Sequence, residues 1–439
     1  MEGINVNAKL NRATARLSML GLFLLTSFIL VGCGPESYQA HFLVSWSPDG
    51  SSAAIVPNIL DNKIPESDVW LFDRASGKLK SVYHAEEGYA CFQPQWSPFD
   101  RELLFGVFQK DGDDDKSHGT LISLWLVTQE GYRARKVAET VINDDGDSIL
   151  LPNGIAWGPY PGTIIFEERI DDHSSTAVML DLCTGKRQSI LPRPAAQYSI
   201  EISPSRKLIA AVLMGREEDP VELWVADFAE PIWRRLGYVA PDPDLIGQYT
   251  PLIYWAPDSA SILVPESEKS PDKRDSRRYF MRWIDVETGG FKRTETGQIN
   301  APLRWKNASE LFYSADNGEE RSGIFKLNLR TGDLTPVATG EEVHLLAWDA
   351  ASNALNFYSQ ESVKNGENKE SHLFHFFYCS ESGSDLREIM SPLATDDLGW
   401  TVSPDGRQVM LFSTDHPVIS LDLPHGLKRR NLTMALKNK

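Results

Sequence analysis

Cysteine is scarce, with four in 439 residues, at positions 33, 91, 183 and 379. Downstream of Cys33 the count is odd and the spacing wide, which excludes a disulfide framework and matches no zinc-ligand pattern. Buried, inert thiols are the default for Cys91, Cys183 and Cys379, since each sits in or beside an apolar strand-like run. A bridge between one pair in an oxidising compartment stays open. Basic residues are outnumbered 44 to 61, for a net charge of −17. Phosphate binding rests on clustered Lys and Arg, so nucleic acid is excluded as a partner. Broad contact with anionic head groups is disfavoured as well. There is no Gly-x-Ser-x-Gly elbow, phosphate loop, dinucleotide fingerprint or nucleophile–base motif. Helical periodicity is absent after the first 32 residues.

One long apolar run is present, Leu17 to Val31, preceded by Lys9, Arg12 and Arg16. It is short for a spanning helix, which needs about 20 apolar residues. It ends in Leu30-Val31-Gly32-Cys33, a tetrad that resembles the lipobox of bacterial lipoproteins. The resemblance implies cleavage before Cys33 and a diacylglycerol on its thiol. The expected organisation is a signal peptide over 1–32, a lipidated tether over 33–40, a folded body over 41–434 and a tail over 435–439. The expected location is the bacterial cell envelope, on the periplasmic or extracellular side, with the membrane touched through the anchor alone.

The body carries an internal repeat. Its copies are Trp46-Ser-Pro-Asp-Gly50, Trp96-Ser-Pro98, Trp157-Gly-Pro159, Ile202-Ser-Pro204, Trp255-Ala-Pro-Asp258, Trp305-Lys-Asn307, Trp348-Asp349 and Val402-Ser-Pro-Asp-Gly406. These eight recur about every 51 residues, a propeller-blade period. A second turn follows most copies, as in Asp181…Thr184-Gly185, Asp285…Thr288-Gly289 and Thr331-Gly332. Each unit therefore reads as four short antiparallel strands with tight turns after the first and third. Trp supplies an apolar wedge between blades. Pro fixes φ, Asp bonds its local backbone and Gly accepts positive φ. The fold class predicted is all-β, a β-propeller of eight blades, with seven as the alternative if the Trp305 or Trp348 copy is an insertion.

The Trp-Ser-Pro-Asp-Gly pattern with a downstream Asp-x-x-Thr-Gly resembles the TolB-type propeller repeat, over roughly residues 38 to 434. The separate N-terminal domain of TolB is missing, so a Tol–Pal role is not implied. The same repeat occurs in propellers attached to prolyl oligopeptidases, but no residues remain here to build a hydrolase domain.

In such a unit the turns within strand pairs lie on one face. The loops between strands two and three, and those joining blades, lie on the other. The second set is long and varied, including 110–119, 267–278 and 361–370. The joining loops add Val141 to Asp147, with Asp145 and Asp147, and Ala240-Pro241-Asp242-Pro243-Asp244 through Tyr249. Asp145, Asp147, Asp242, Asp244 and Tyr249 are the candidate binding residues, because loops on a rigid scaffold usually carry binding. The expected role is non-catalytic binding of an envelope protein or glycan by a monomer. The enzymatic alternative is a metal-dependent oligosaccharide lyase or hydrolase. Asp111, Asp113 and Asp115 have the alternate spacing of a calcium loop, yet Lys116 stands where Gly is wanted and Ile122 where Glu would be. A solvated acidic hairpin tip is the better reading. His84 and His344 fall on joining loops and are a second candidate pair, because oligogalacturonate lyases of this repeat type hold a channel metal with histidines. No cofactor is expected.

Overall fold

A computed structural model describes residues 4–5, 42–57, 68–109, 120–128, 133–142, 155–171, 173–214, 219–241, 252–270, 277–316, 323–340, 342–365, 369–395, 398–412, 418–423 and 429–432. Strands account for all regular structure among them, and they form eight separate antiparallel sheets. Each sheet is one blade, and strands pair in chain order from first to fourth. The chain is therefore an eight-bladed β-propeller. The copies at Trp305 and Trp348 are full blades, which removes the seven-bladed alternative. In blade 6, Asn307 replaces the turn aspartate, and its Oδ1 accepts from the Ser309 and Glu310 amides. Asp349 serves blade 7 likewise, accepting from the Ala351 amide at 2.9 Å. A short side chain carrying an acceptor is what the turn requires, so the copies degenerate in letter and not in chemistry.

The second strand of each blade explains the near-continuous apolar runs. Its residues alternate between the two faces of the sheet, and each face packs on a different neighbour. In Leu208–Met214 of blade 4, Ile209, Ala211 and Leu213 join blade 3, while Ala210, Val212 and Met214 join blade 5. Blade 1 repeats this in Ser52–Pro57, with Ala53 and Ile55 facing blade 8 and Ala54 and Val56 facing blade 2. The core is thus eight seams around a ring. The repeated Trp crosses several of them by a recurring bond. The indole Nε1 of Trp96 donates to Ser45 O at 3.0 Å, that of Trp157 to Gln95 O at 2.9 Å and that of Trp255 to Glu201 O at 3.0 Å. Each acceptor lies one residue before the Trp position of the preceding blade.

Ring closure needs no shared strand. Blade 1 (Phe42 to His84) and blade 8 (Gly399 to Leu432) each hold their own four strands. Between them lie Trp46, Ala53, Ile55 and Phe72 on one side and Met410 and Phe412 on the other. Trp46 meets Phe72 edge-on, with ring centroids 6.3 Å apart. On the short-turn face Arg74 bonds Asp405 at 2.9 Å across this seam. Arg101 of blade 2 likewise bonds Asp49 of blade 1 at 3.0 Å. Asp49 is held well below the usual carboxylate range, first by the Ser51 amide, then by the Ser47 and Ser51 hydroxyls. At the outer edge of blade 6, Ile4–Asn5 adds a parallel fifth strand on Ala338 and Thr339.

The structure corrects three expectations. Cys183 is exposed, whereas Cys91 and Cys379 are buried. Cys183 lies in the third-to-fourth-strand turn, where its amide donates to Asp181, so the turn turns it to solvent. The segment 361–370 is largely paired backbone, because strands Ala354–Asn365 and Lys369–Ser380 continue their ladder to Asn365↔Lys369. Extending an existing hairpin adds hydrogen bonds without closing a new long loop. The 267–278 segment is shortened in the same way, by pairing out to Lys269↔Arg277. Nor are all connections on that face long, since Asp171 pairs Ser174 and only Gly297 separates Thr296 from Gln298.

Asn356, in the second strand of blade 7, is fully buried. Neither side-chain polar atom has a hydrogen-bond partner among the described residues. An unmet buried amide costs about 1–3 kcal/mol. Asn356→Leu is expected to raise the urea midpoint by the equivalent of about 1–2 kcal/mol, and an unchanged or lower midpoint would show that the amide is satisfied.

Candidate functional site

The first strands of neighbouring blades touch one another around the axis. Phe42–Trp46 meets Tyr89–Trp96 on one side and Gly399–Val402 on the other. Gln298–Asn307 meets Val343–Asp349 in the same manner. These are the innermost strands, and they surround the central channel. Each runs from the long-loop face and ends at the Trp position, just above the first tight turn. Strand alternation turns the residue before the Trp to the opposite side. Around the ring these residues are Ser45, Gln95, Ala156, Glu201, Tyr254, Arg304, Ala347 and Thr401.

Three consecutive blades place reactive groups at this level. Glu201 comes from blade 4, Tyr254 from blade 5 and Arg304 from blade 6. The Tyr254 hydroxyl lies within electrostatic reach of both charged neighbours, and burial pushes its pKa up. Burial alone pushes the Glu201 carboxyl up to about 8. All three residues are part-buried and keep some contact with solvent. Arg304 donates from Nε to Leu346 O of blade 7 at 3.1 Å and from Nη1 to its own blade at Leu303 O. Desolvation brings its pKa down to about 10, which leaves it cationic at neutral pH.

Below this level a second arginine spans the rim of the short-turn face. Arg206 holds a left-handed φ of 58° in the first turn of blade 4. Its guanidinium lies 4.8 Å from the ring centroid of Phe99 in blade 2. It also donates to Trp157 O at 3.1 Å and to Gly158 O in blade 3. One side chain thereby ties three blades together.

A larger charged cluster joins blades 4 and 5 near their outer strands. Glu266 is 2 % exposed and accepts from Arg282 at 3.0 Å, Arg293 at 2.9 Å and the Ala240 amide at 3.0 Å. Arg282 and Arg293 also lie over Phe291 and Phe280. The carboxylate is fully engaged by its own chain, so the cluster reads as a structural clamp.

The residues singled out from sequence fall as follows. His84 ends the outermost strand of blade 1, bonds Asp68 at 2.6 Å and is 62 % exposed. His344 lies on the innermost strand of blade 7, stacked on Tyr358 at 4.8 Å with Glu342 at 3.3 Å. One belongs to the perimeter and the other to the channel wall, so the expected approach of the two near the channel does not occur. Among the described residues no three His, Cys, Asp or Glu side chains gather as a metal site would require. Cys33, Asp111, Asp113, Asp115, Asp145, Asp147, Asp242, Asp244 and Tyr249 lie outside the described residues. Sequence reading missed Glu201, Tyr254 and Arg304. The available signal was a polar residue immediately before the wedge position, three blades running.

The fold class is that of the β-propellers, and comparison with solved structures agrees. Dipeptidyl peptidase 4 of Porphyromonas gingivalis is similar with a TM-score of 0.56 and 12% identity, over 91% of this chain and 60% of that one. An oligogalacturonate lyase from Vibrio parahaemolyticus follows with a TM-score of 0.48 and 9% identity, covering 89% and 91% of the two chains. TolB from Acinetobacter baumannii matches at 0.37 and 10% identity, over 68% of this chain and 64% of its own. The chain thus spans less than two thirds of the peptidase and of TolB. The likeness to the peptidase shows the fold alone, and the other two carry no argument. No protein-family model matches the sequence, and no curated protein does.

Proposed function

We propose that the chain is a non-catalytic binding propeller of the bacterial envelope, anchored through a lipid on Cys33, that captures a protein or glycan partner on its long-loop face. One observation carries this reading. The second and third strands of blade 7 remain paired for six residue pairs beyond Ser359, where the innermost strand stops. Leu393–Thr395 flanks the first three of these pairs at His372–Phe374. The last three, at about 3.3 Å per residue, extend roughly 10 Å beyond any other described strand of the blade. The hairpin rises on the face that also holds the longest connections. A rigid arm beside the channel mouth offers paired backbone and exposed side chains such as Glu361 and Ser362 to a partner. The expectation that long loops on a fixed scaffold bind ligands supports the same face.

The test replaces 361–370 with a two-residue turn. Wild-type and shortened proteins are presented to envelope extracts and to an array of envelope glycans. Wild-type protein should retain a partner that the shortened protein loses. Equal retention by both removes the arm from the binding surface. In cells fed labelled palmitate, the wild-type protein should carry label and Cys33→Ala should not. Label on the variant would place the lipid elsewhere.

A further inference from the structure

Among the described residues, Arg304 differs from many arginines in having no carboxylate partner, a feature it shares with Arg206, whose guanidinium lies over Phe99 instead. Arg282 and Arg293 share a carboxylate, and Arg74, Arg101, Arg187, Arg193, Arg235 and Arg278 each pair with one. Arg304 has no carboxylate partner among the described residues, and its two bonds are to backbone carbonyls. A guanidinium has five N–H donors in a planar fork that suits a carboxylate two bonds at a time. Desolvated charge without a counter-charge is costly, and native proteins rarely leave it so unless a ligand or partner supplies the opposite sign.

The groups beside it favour an anion. Tyr254 contributes a hydroxyl that ionises only far above neutrality, so it is a standing donor. Glu201 is kept neutral at pH 7 by burial and can therefore donate or accept without repelling a negative ligand. The formal charge at this level is thus +1 inside a protein of net charge −17. That acidic exterior would normally turn anions away, which makes an internal positive point selective for a small anion able to enter the channel.

We propose that Glu201, Tyr254 and Arg304 form a binding site for the carboxylate of a small molecule, gripped by the Arg304 fork and the Tyr254 hydroxyl one level above the short-turn face. This goes beyond the long-loop binding role and does not depend on it. The site sits at the opposite end of the channel from the blade 7 arm. A ligand small enough to enter, such as a sugar acid or the free terminus of a short peptide, meets the chemistry.

The experiment is a calorimetric or NMR titration of the full chain with matched pairs. The first pair is glucuronate against glucose. The second is an N-acetyl dipeptide with a free C-terminus against its amide. An acid should bind in preference to its neutral counterpart, and which pair responds names the source of the carboxylate. Arg304→Gln should weaken binding at least about tenfold, and Arg304→Lys, which keeps charge but not the fork, should fall between. Should Arg304→Gln fail to fold, Tyr254→Phe replaces it and is expected to weaken binding about three- to tenfold through the lost hydroxyl bond. The variant with the shortened 361–370 hairpin should bind the acid as wild type does. The proposal is overturned if acids and neutral counterparts bind alike or not at all, or if a folded Arg304→Gln protein keeps wild-type affinity.

Discussion

Phe72→Ala will cost about 3–5 kcal/mol and will open the ring between blades 1 and 8 before any other seam. The magnitude is the usual one for deleting a buried phenyl ring that its surroundings cannot refill. Phe72 is fully buried and meets Trp46 edge-on. The location follows from two properties of that seam. It has six buried apolar residues, Trp46, Ala53, Ile55, Phe72, Met410 and Phe412, the smallest such cluster among the described residues. It is also the one seam between blades that do not follow one another in the chain. Every other pair of blades is tethered by its joining segment, so a weakened contact there can reform locally. The Arg74–Asp405 pair cannot replace the lost apolar area, because a partly exposed ion pair contributes at most about 1 kcal/mol. Hydrogen exchange read by mass spectrometry is the check. Strands Ser52–Pro57 and Gln408–Phe412 should lose protection first in Phe72→Ala. As a control, Phe312→Ala at the blade 6–7 seam should lose similar stability without exposing Gln408–Phe412. Uniform loss of protection in both variants would show that the ring unfolds as one unit with no weak seam.

Glu201→Gln will stabilise the protein above neutrality and leave it unchanged in acid. In the folded chain burial raises the Glu201 carboxyl to about 8 from an ordinary 4.5. A group raised on folding contributes its stability in full below the unfolded value and loses it as pH climbs through the folded value. Below pH 4.5 both states hold the proton, and the variant and wild type should match. From there to pH 8 only the unfolded chain releases it, so wild type should fall progressively behind. Above pH 8 the gap should level off on the order of a few kcal/mol. The partial exposure of the side chain keeps it below the full linkage value. Urea midpoints for both proteins at pH 4.5, 6, 7.5 and 9 measure this directly. A gap that is constant across the range would mean that Glu201 titrates normally.

The architecture was legible because its signal is local and repeated. Trp46-Ser-Pro-Asp-Gly50 states a strand end and a tight turn within five residues, and eight such statements define a ring. Asn307 and Asp349 show why the weak copies still counted, since the turn asks only for a short acceptor side chain. The trio in the channel was not legible for the opposite reason. Glu201 and Arg304 are 103 positions apart in the sequence, and each alone is an unremarked polar residue in a strand. Their shared position before the wedge of nearby blades brings them to one level, and that shows only when the copies are aligned with one another. His84 and His344 failed by the same route, because joining-loop positions near the ends of strands do not say whether the strand is innermost or outermost. Cys183 was misjudged because its apolar neighbours belong to the strand before the turn. The 361–370 segment was misjudged because charged residues in a projecting hairpin look like those of a loop.

A ring that closes on side chains, with a complete sheet on each side of the join, has no privileged first unit. Folds that borrow a terminal strand to shut the circle fix where the polypeptide must begin and end. Here that constraint is missing. Circular permutation through another joining segment would preserve all eight sheets, and whole units can be gained or lost by duplication without redesigning the clasp. The eight copies, unequal in sequence yet equivalent in architecture, are what such freedom would leave behind.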